Sequence, residues 1–408
     1  FVSLNGATTA TQTISFSAGW NIVSANVKPS NTDMKALFQS LIDAGKLKKV
    51  MDESGKTLEN FGMFGGWKNN IGNWQPTEGY KVNVTAATAL VLEGTPFMLP
   101  YDIPLTTGWN IVSYPAVSSQ DVKAAFQSLI DSGKLKKVMD ESGKTLENFG
   151  MFGGWKNNIG SLTAGKGYKV NVTGSCTLTI TEGGTKGATI VPEVLASTHF
   201  APVYSGNGLD HMNIHLVNLQ ASGIKVGDEI GIYDGSLCVG SATIGAEQLM
   251  DGSISIPASS NDGLGQTTNG FTCGNPVNLQ LFRDGQTYQL NIEKFSGINS
   301  FDKNQSLFAQ VNIDELDGSR NSNNSDQFKC FPNPFDQEIN IEVQYAKSTE
   351  VTIEIYNITG QRIKTLFKGT NNGNLLVKWN GTSESGQKVA PGVYLCKVNG
   401  QSKQLVFK

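Results

Sequence analysis

The sequence predicts a mainly β, multidomain chain, and three observations carry that prediction. One long stretch is written twice, alternating apolar runs fill the second half, and 46 glycines among 408 residues supply turns. The length exceeds one ordinary domain. The expected architecture is two small α+β repeats at 12–94 and 101–183, a β-sandwich at 194–313, and a C-terminal immunoglobulin-like β-sandwich at 328–408.

The repeats come first. Phe38 to Gly72 reads FQSLIDAGKLKKVMDESGKTLENFGMFGGWKNNIG, and Phe126 to Gly160 repeats it with Ser132 in place of Ala44. AGWNIVSANV at 18–27 returns as TGWNIVSYPA at 107–116, and GYKVNVT at 79–85 returns at 167–173. Within each copy WNIVS reads as a short strand. Asp33 and Asp121 follow at helix N-cap positions. Met34, Leu37, Phe38, Leu41 and Ile42 then fall at helical spacing, giving one apolar face. Gly45 and Gly133 stand where helices stop. KLKKVMDESGKT reads as a strand entering a Ser-Gly turn, and GYKVNV alternates as the closing strand. Trp20 and Trp109 are expected in the core. Residues 184–193 read as a linker.

The third module reads as β throughout. HMNIHLVNL, DEIGIYDGSLCVGSATI, GSISIPAS, PVNLQLFRDGQTYQLNI and SLFAQVNI are separated by Gly-, Asn- and Asp-rich turns. The polar segment at 314–326 lacks apolar periodicity and reads as a flexible linker. In the last module EINIEVQY and VTIEIYNI alternate, with NGNL, NGTSESG and VNGQ as turns. About seven short strands give an immunoglobulin-like rhythm. The third module holds 10 acidic and 4 basic residues, and the last 10 basic and 6 acidic. A net charge of −3 and the lack of basic runs interleaved with aromatics give no nucleic-acid footprint. No apolar stretch approaches the ~20 residues of a membrane-spanning helix. Because the chain begins at Phe1, with neither Met nor a signal peptide, it is expected to be a mature or truncated piece of something longer.

Chemistry is sparse. Five cysteines form an odd set: Cys176, Cys238, Cys273, Cys330 and Cys396. Cys238 with Cys273, and Cys330 with Cys396, share modules, which allows two bridges; buried free thiols are the favoured reading. His199, His211 and His215 are the only histidines. In a strand, His211 and His215 share a face about 13 Å apart, too far for one ion. Asp228 and Asp234 are weak Ca²⁺ candidates near a hairpin, with turn capping by acids as the favoured alternative. Asp228 and Glu229 point to opposite faces of a regular strand, against a glycosidase pair. No GxSxG or P-loop occurs. The chain reads as non-enzymatic. The aromatics of FGGWKNNIG remain. Trp67 and Trp155, with Asn69 and Asn157, have the composition of a sugar-stacking platform, set against core or inter-module packing as the favoured use.

The C-terminal module resembles the type A C-terminal sorting domain of the Bacteroidota type IX secretion system. The resemblance rests on FPNPF at 331–335, VTIEIYNITGQRIKTL at 351–366, VKWNGTSESGQKVAPGVYLCKV at 377–398 and the terminal KQLVFK. It implies a β-sandwich address label read by the outer-membrane translocon and its shuttle protein, on a secreted or cell-surface protein. The motif residues are Pro332, Asn333, Pro334, Phe335, Gly360, Gly392, Val393, Tyr394 and Lys408. Cys330 departs from the family, which more often has an aromatic there. The bland alternative is the Ig-like architecture of many secreted enzymes and flagellar hook-capping proteins. GDEIGIYDGSLCVGSATI and GFTCGNPVNLQLF resemble a β-sandwich module often found upstream of such labels. The repeats resemble those of Bacteroidota extracellular proteins. Two functions follow as expectations. One is a surface binding or adhesion protein touching glycans. The other is the non-catalytic tail of a larger secreted peptidase or glycosidase.

Overall fold

The computed structural model describes residues 9–183, 191–204, 206–264, 267–313, 328–357, 361–399 and 401–408. The linkers read at 184–193 and 314–326 lie largely outside these residues. The chain divides into two compact units, residues 1–315 and 316–408.

Each repeat builds the same five-stranded antiparallel sheet. In the first the order is Gly19–Val23, Tyr80–Val84, Leu47–Met51, Thr57–Asn60, Trp67–Asn69. In the second it is Gly108–Val112, Tyr168–Val172, Leu135–Met139, Thr145–Asn148, Trp155–Asn157. A smaller sheet supplies the second layer: Ala10–Phe16, Thr88–Pro96 and Val27–Pro29 in the first repeat, Cys176–Ile180 with Tyr101–Leu105 in the second. The cores lie between, around Phe38, Val50 and Tyr80 in one and Phe126, Val138 and Tyr168 in the other. Asp33 and Asp121 are N-caps, accepting from Ala36 N at 2.9 Å and Ala124 N at 2.8 Å. The single predicted helix is two short ones, Met34–Leu37 and Gln39–Asp43. The break falls at Phe38, whose backbone moves to φ −92°, ψ 7° while its ring is fully buried. Anchoring that ring takes precedence over helical regularity.

The repeats dock on each other reciprocally. Gly79 N donates to Ile111 O and Gly167 N to Ile22 O, both at 2.9 Å. Glu53 accepts from Ile111 N at 2.9 Å, and Glu141 from Ile22 N at 3.1 Å. This is the isologous pattern of a two-fold dimer, made within one chain. It gives a structural use to a Glu that reads in sequence as a turn residue.

The third module is a seven-stranded sheet. Its order is Leu237–Thr243, Glu229–Asp234, Asn278–Arg283, Gln286–Gly297, Ser306–Ile313, His211–Val217, Ser253–Ser259. Only the pair His211–Val217 and Ser306–Ile313 is parallel. The sheet folds over until its end strands meet: a Cβ on Gly240 would lie 2.6 Å from Pro257 O, so only glycine fits there. The enclosed core includes Ile214, Ile232, Leu279 and Val311. A short helix, Ala246–Asp251, interrupts the all-β reading and ends at Gly252 with φ +71°.

The C-terminal unit has five strands among its described residues rather than about seven: Lys329–Phe331, Ile339–Asn357, Arg362–Trp379, Gly392–Val398 and Gln401–Phe407. The second and third form one long hairpin, and NGNL lies inside a strand instead of at a turn. The register shifts between Tyr345 and Thr349, so pairing survives a break in alternation that sequence reads as a strand end. Ile339, Ile341 and Val343 precede the shift and Val351, Ile353 and Ile355 follow it; all belong to one core.

Candidate recognition surfaces

Three motifs far apart in sequence meet on one edge of the C-terminal unit. Gln401–Phe407 is the last strand of its sheet, and FPNPF lies along its outer side. The Asn333 amide donates to Gln404 O at 2.8 Å, and its carbonyl accepts from Val406 N at 2.8 Å. Phe335 N donates to Val406 O at 2.9 Å, and Lys408 N to Phe335 O at 2.8 Å. The exposed edge is thus covered by a segment whose two prolines offer no donors of their own. On the inner side Gly392, Val393 and Tyr394 pair with Phe407, Val406 and Leu405. Beneath, Phe335 stacks on Phe407 with centroids 5.0 Å apart, and Trp379 meets Tyr394 edge-on at 5.1 Å. Pro332, Asn333, Pro334, Val393 and Lys408 stay exposed above this buried aromatic floor. Gly360 lies outside the described residues.

The duplicated stretch has two different environments in the larger unit. In the second copy Phe149 is 4% exposed, against His215 with centroids 4.5 Å apart and edge-on to Phe308 at 5.0 Å. Lys156 bonds Asp251 at 2.7 Å and Ser253 Oγ at 2.8 Å, and Asn213 donates to Gly143 O at 2.6 Å. The third module therefore sits on this copy. In the first copy the rings face outward: Phe61 is 42% exposed and Phe64 77%, while Met63 and its twin Met151 are exposed in both copies. Lys68 lies over the Phe61 ring at 5.2 Å. A cleft of about 820 Å³ opens beside the docked copy, with Phe152, Lys156 and Asn158 on one wall and Gln248, Met250 and Asp251 on the other.

Trp67 and Trp155 are half-buried at the edges of their repeat cores. Asn69 and Asn157 serve the fold rather than a ligand. Asn69 donates to Asp33 at 3.0 Å and Gly72 O at 2.8 Å and accepts from Gly72 N at 2.9 Å. Asn157 repeats the pattern with Asp121 and Gly160. Both amide donors are consumed in each case, so neither is left for a sugar hydroxyl. Trp20 is buried, yet outside the repeat core: its indole N–H donates to Asp262 at 3.3 Å, which Tyr204 also meets. Trp109, expected in the core, is half-buried. Strand alternation puts Val23 inward and Trp20 outward, where only the first repeat finds that neighbour.

A charged spine that sequence reading missed joins the modules. Lys81 and Lys169, equivalent lysines of the two GYKVNV strands, both reach Asp210, at 2.9 and 2.6 Å. Glu147 gathers Lys137 at 3.4 Å, His215 at 3.1 Å and Ser306 at 2.9 Å. The repeated Lys was the only sequence signal for this. Burial favours the protonated acid, yet Lys169 and Lys81 hold the Asp210 carboxyl well below the usual range. Likewise, against burial, Lys137 and His215 bring Glu147 down to about 2. Burial, helped by Lys169, pushes His211 down to about 3. All three groups are lowered in the folded chain, so each costs stability as the pH falls. From pH 6.5 downward the unfolded chain protonates His211 while the folded chain does not, and Glu147 adds its loss between about 4.5 and 2. The urea midpoint of the larger unit, followed by tryptophan fluorescence, should fall steadily between pH 7 and 4. A flat profile would contradict neutral burial of His211.

The calcium candidates are occupied by protein groups. Asp228 takes the Arg283 Nε at 2.7 Å, its Nη2, and Lys225 N at 2.7 Å. Asp234 accepts from Thr272 N and Asn275 Nδ2, both at 2.8 Å. They stand near opposite ends of one strand pairing and cap separate loops. Among the described residues no three His, Cys, Asp or Glu side chains cluster as a metal site. No helix among them is long and apolar enough to cross a membrane.

No curated protein sequence matches the chain. Among solved structures, dimeric latent PorU from Porphyromonas gingivalis aligns at 14% identity with a TM-score of 0.19, covering 80% of this chain and 36% of that one. Residues 326–404 match the family model of the FlgD Ig-like domain. The C-terminal unit is accordingly an immunoglobulin-like β module.

Proposed function

We propose that the chain belongs to a protein exported to the cell surface or beyond by a type IX secretion system. Residues 328–408 are its sorting label, recognised by the translocon and its outer-membrane shuttle. What supports this reading is the convergence of FPNPF, GVY and the terminal residues around Asn333, which bonds Gln404 and Val406, 71 and 73 positions away along the chain. An Ig-like fold alone serves many functions, so the argument rests on the motif surface. Deleting 328–408 is expected to leave the protein in the periplasm when cell fractions are probed by antibody. Normal surface display of the truncated protein refutes the proposal.

The upstream modules act as a binding or spacer segment. The exposed Phe61 and Phe64 of the first repeat support a binding role, because Phe149, the twin of Phe61, packs on the third module and Phe152, the twin of Phe64, lines the cleft beside it. Exposed ring faces beside a lysine also suit glycans. A polysaccharide pull-down should retain the wild-type chain and lose Phe64→Ala by at least about tenfold. Equal retention of both proteins, or retention of neither, removes the glycan assignment.

A further inference from the structure

We propose that Cys330 and Cys396 form a disulfide joining the first strand of the C-terminal unit to the strand that carries Tyr394. The strand registers place both thiols toward one core. Cys330 lies opposite Ile341 and Cys396 opposite Ile355, and residues directly opposite in an antiparallel pair share a face. Ile341 and Ile355 are fully buried, so their partners point inward too. The register shift between Tyr345 and Thr349 separates the two pairings, yet Cys396 belongs to the same core that Cys330 packs against. There the two thiols meet as hydrogen-bonding neighbours, with Cys396 donating to Cys330.

The chemistry has a natural order. Cys330 is half-buried and Cys396 buried. The hydrogen bond from Cys396 pulls the Cys330 thiol down, while its loss and burial push Cys396 up. Cys330 is therefore the thiolate that attacks first. The oxidant is a disulfide, of a protein or a small thiol. The Cys330 sulfur bonds to one of its sulfurs, and the other leaves as a thiolate. Cys396 then gives up its proton, and its sulfur displaces the oxidant from Cys330. One S–S bond breaks in the oxidant and one forms in the protein, and two electrons leave on the oxidant as two thiols. The remaining cysteines lie in the other unit and offer no such pair: Cys238 turns its S–H to Gly240 O at 3.5 Å, and Cys273 is exposed.

The bond would staple Lys329–Phe331 to Gly392–Val398 and so restrict the unfolded chain. The test is thiol counting on the full chain, treated with oxidised glutathione near pH ~8, then denatured and alkylated. The reduced protein should take five alkyl groups. The oxidised protein should take two fewer and yield a peptide linking Cys330 to Cys396. Cys330→Ser, at the more accessible site, should give no linked peptide. Oxidation should raise the urea midpoint of the C-terminal unit in the wild type and leave it unchanged in Cys330→Ser. Five alkyl groups after oxidation, or a linkage made by Cys176, Cys238 or Cys273 instead, overturns the proposal.

Discussion

Asp210→Ala should cost the larger unit about 3–5 kcal/mol, because it strips the counter-charge from two buried lysines at once. Lys169 Nζ lies 2.6 Å and Lys81 Nζ 2.9 Å from the same carboxylate oxygen. Their side chains are 4% and 13% exposed, so water cannot take over the role of Asp210. Lys169 retains only Leu209 O at 3.3 Å and Asn304 Oδ1 at 3.2 Å. Burial and the neighbouring Lys81 already bring Lys169 down to about 8, and removing the acid lowers it further. Urea denaturation read by tryptophan fluorescence measures the loss. Asp210→Asn should recover little, since an amide restores shape without charge. Replacing all three groups by apolar side chains of similar volume should recover much of it, as buried ion clusters often yield to packed hydrocarbon. A loss under about 1 kcal/mol for Asp210→Ala would place the cluster with ordinary surface pairs.

Phe149→Ala and Phe61→Ala make the same change at the same place in the same 35-residue phrase, and should behave oppositely. The first removes a ring packed on His215 and Phe308 and should cost about 3–4 kcal/mol. The second trims a ring already 42% exposed and should stay within about 0.5 kcal/mol. The pair is its own control, because local propensities cancel. Equal losses in urea midpoint would mean that the copies are not in different environments.

Much of the fold was legible because local chemistry specifies it. The N-caps at Asp33 and Asp121, the Ser-Gly turns and the GYKVNV strands each follow from a few neighbouring residues and are present as read. The misreadings share a cause. Phe38 breaks its helix, the C-terminal hairpin runs through NGNL, and Trp109 misses the core, each because of residues distant in sequence. The edge gathered around Asn333 was half legible. Its motifs could be named, but not that Asn333 would clamp the last strand. Composition brings Asn69 and Asn157 forward as sugar-facing amides, while their bonds to Asp33 and Asp121, invisible along the chain, engage their donors within the fold.

The duplicated phrase and the caps, turns and strands within each copy could be read from the chain alone, since capping, turn chemistry and alternation act over a few residues. The sequence could not determine which copy would be covered. Phe61 and Phe149 have identical neighbours along the chain, and only Phe149 meets His215 and Phe308. Burial is a property of what arrives from elsewhere in the chain, and the tertiary structure alone decided that one copy became an internal joint and the other an open surface.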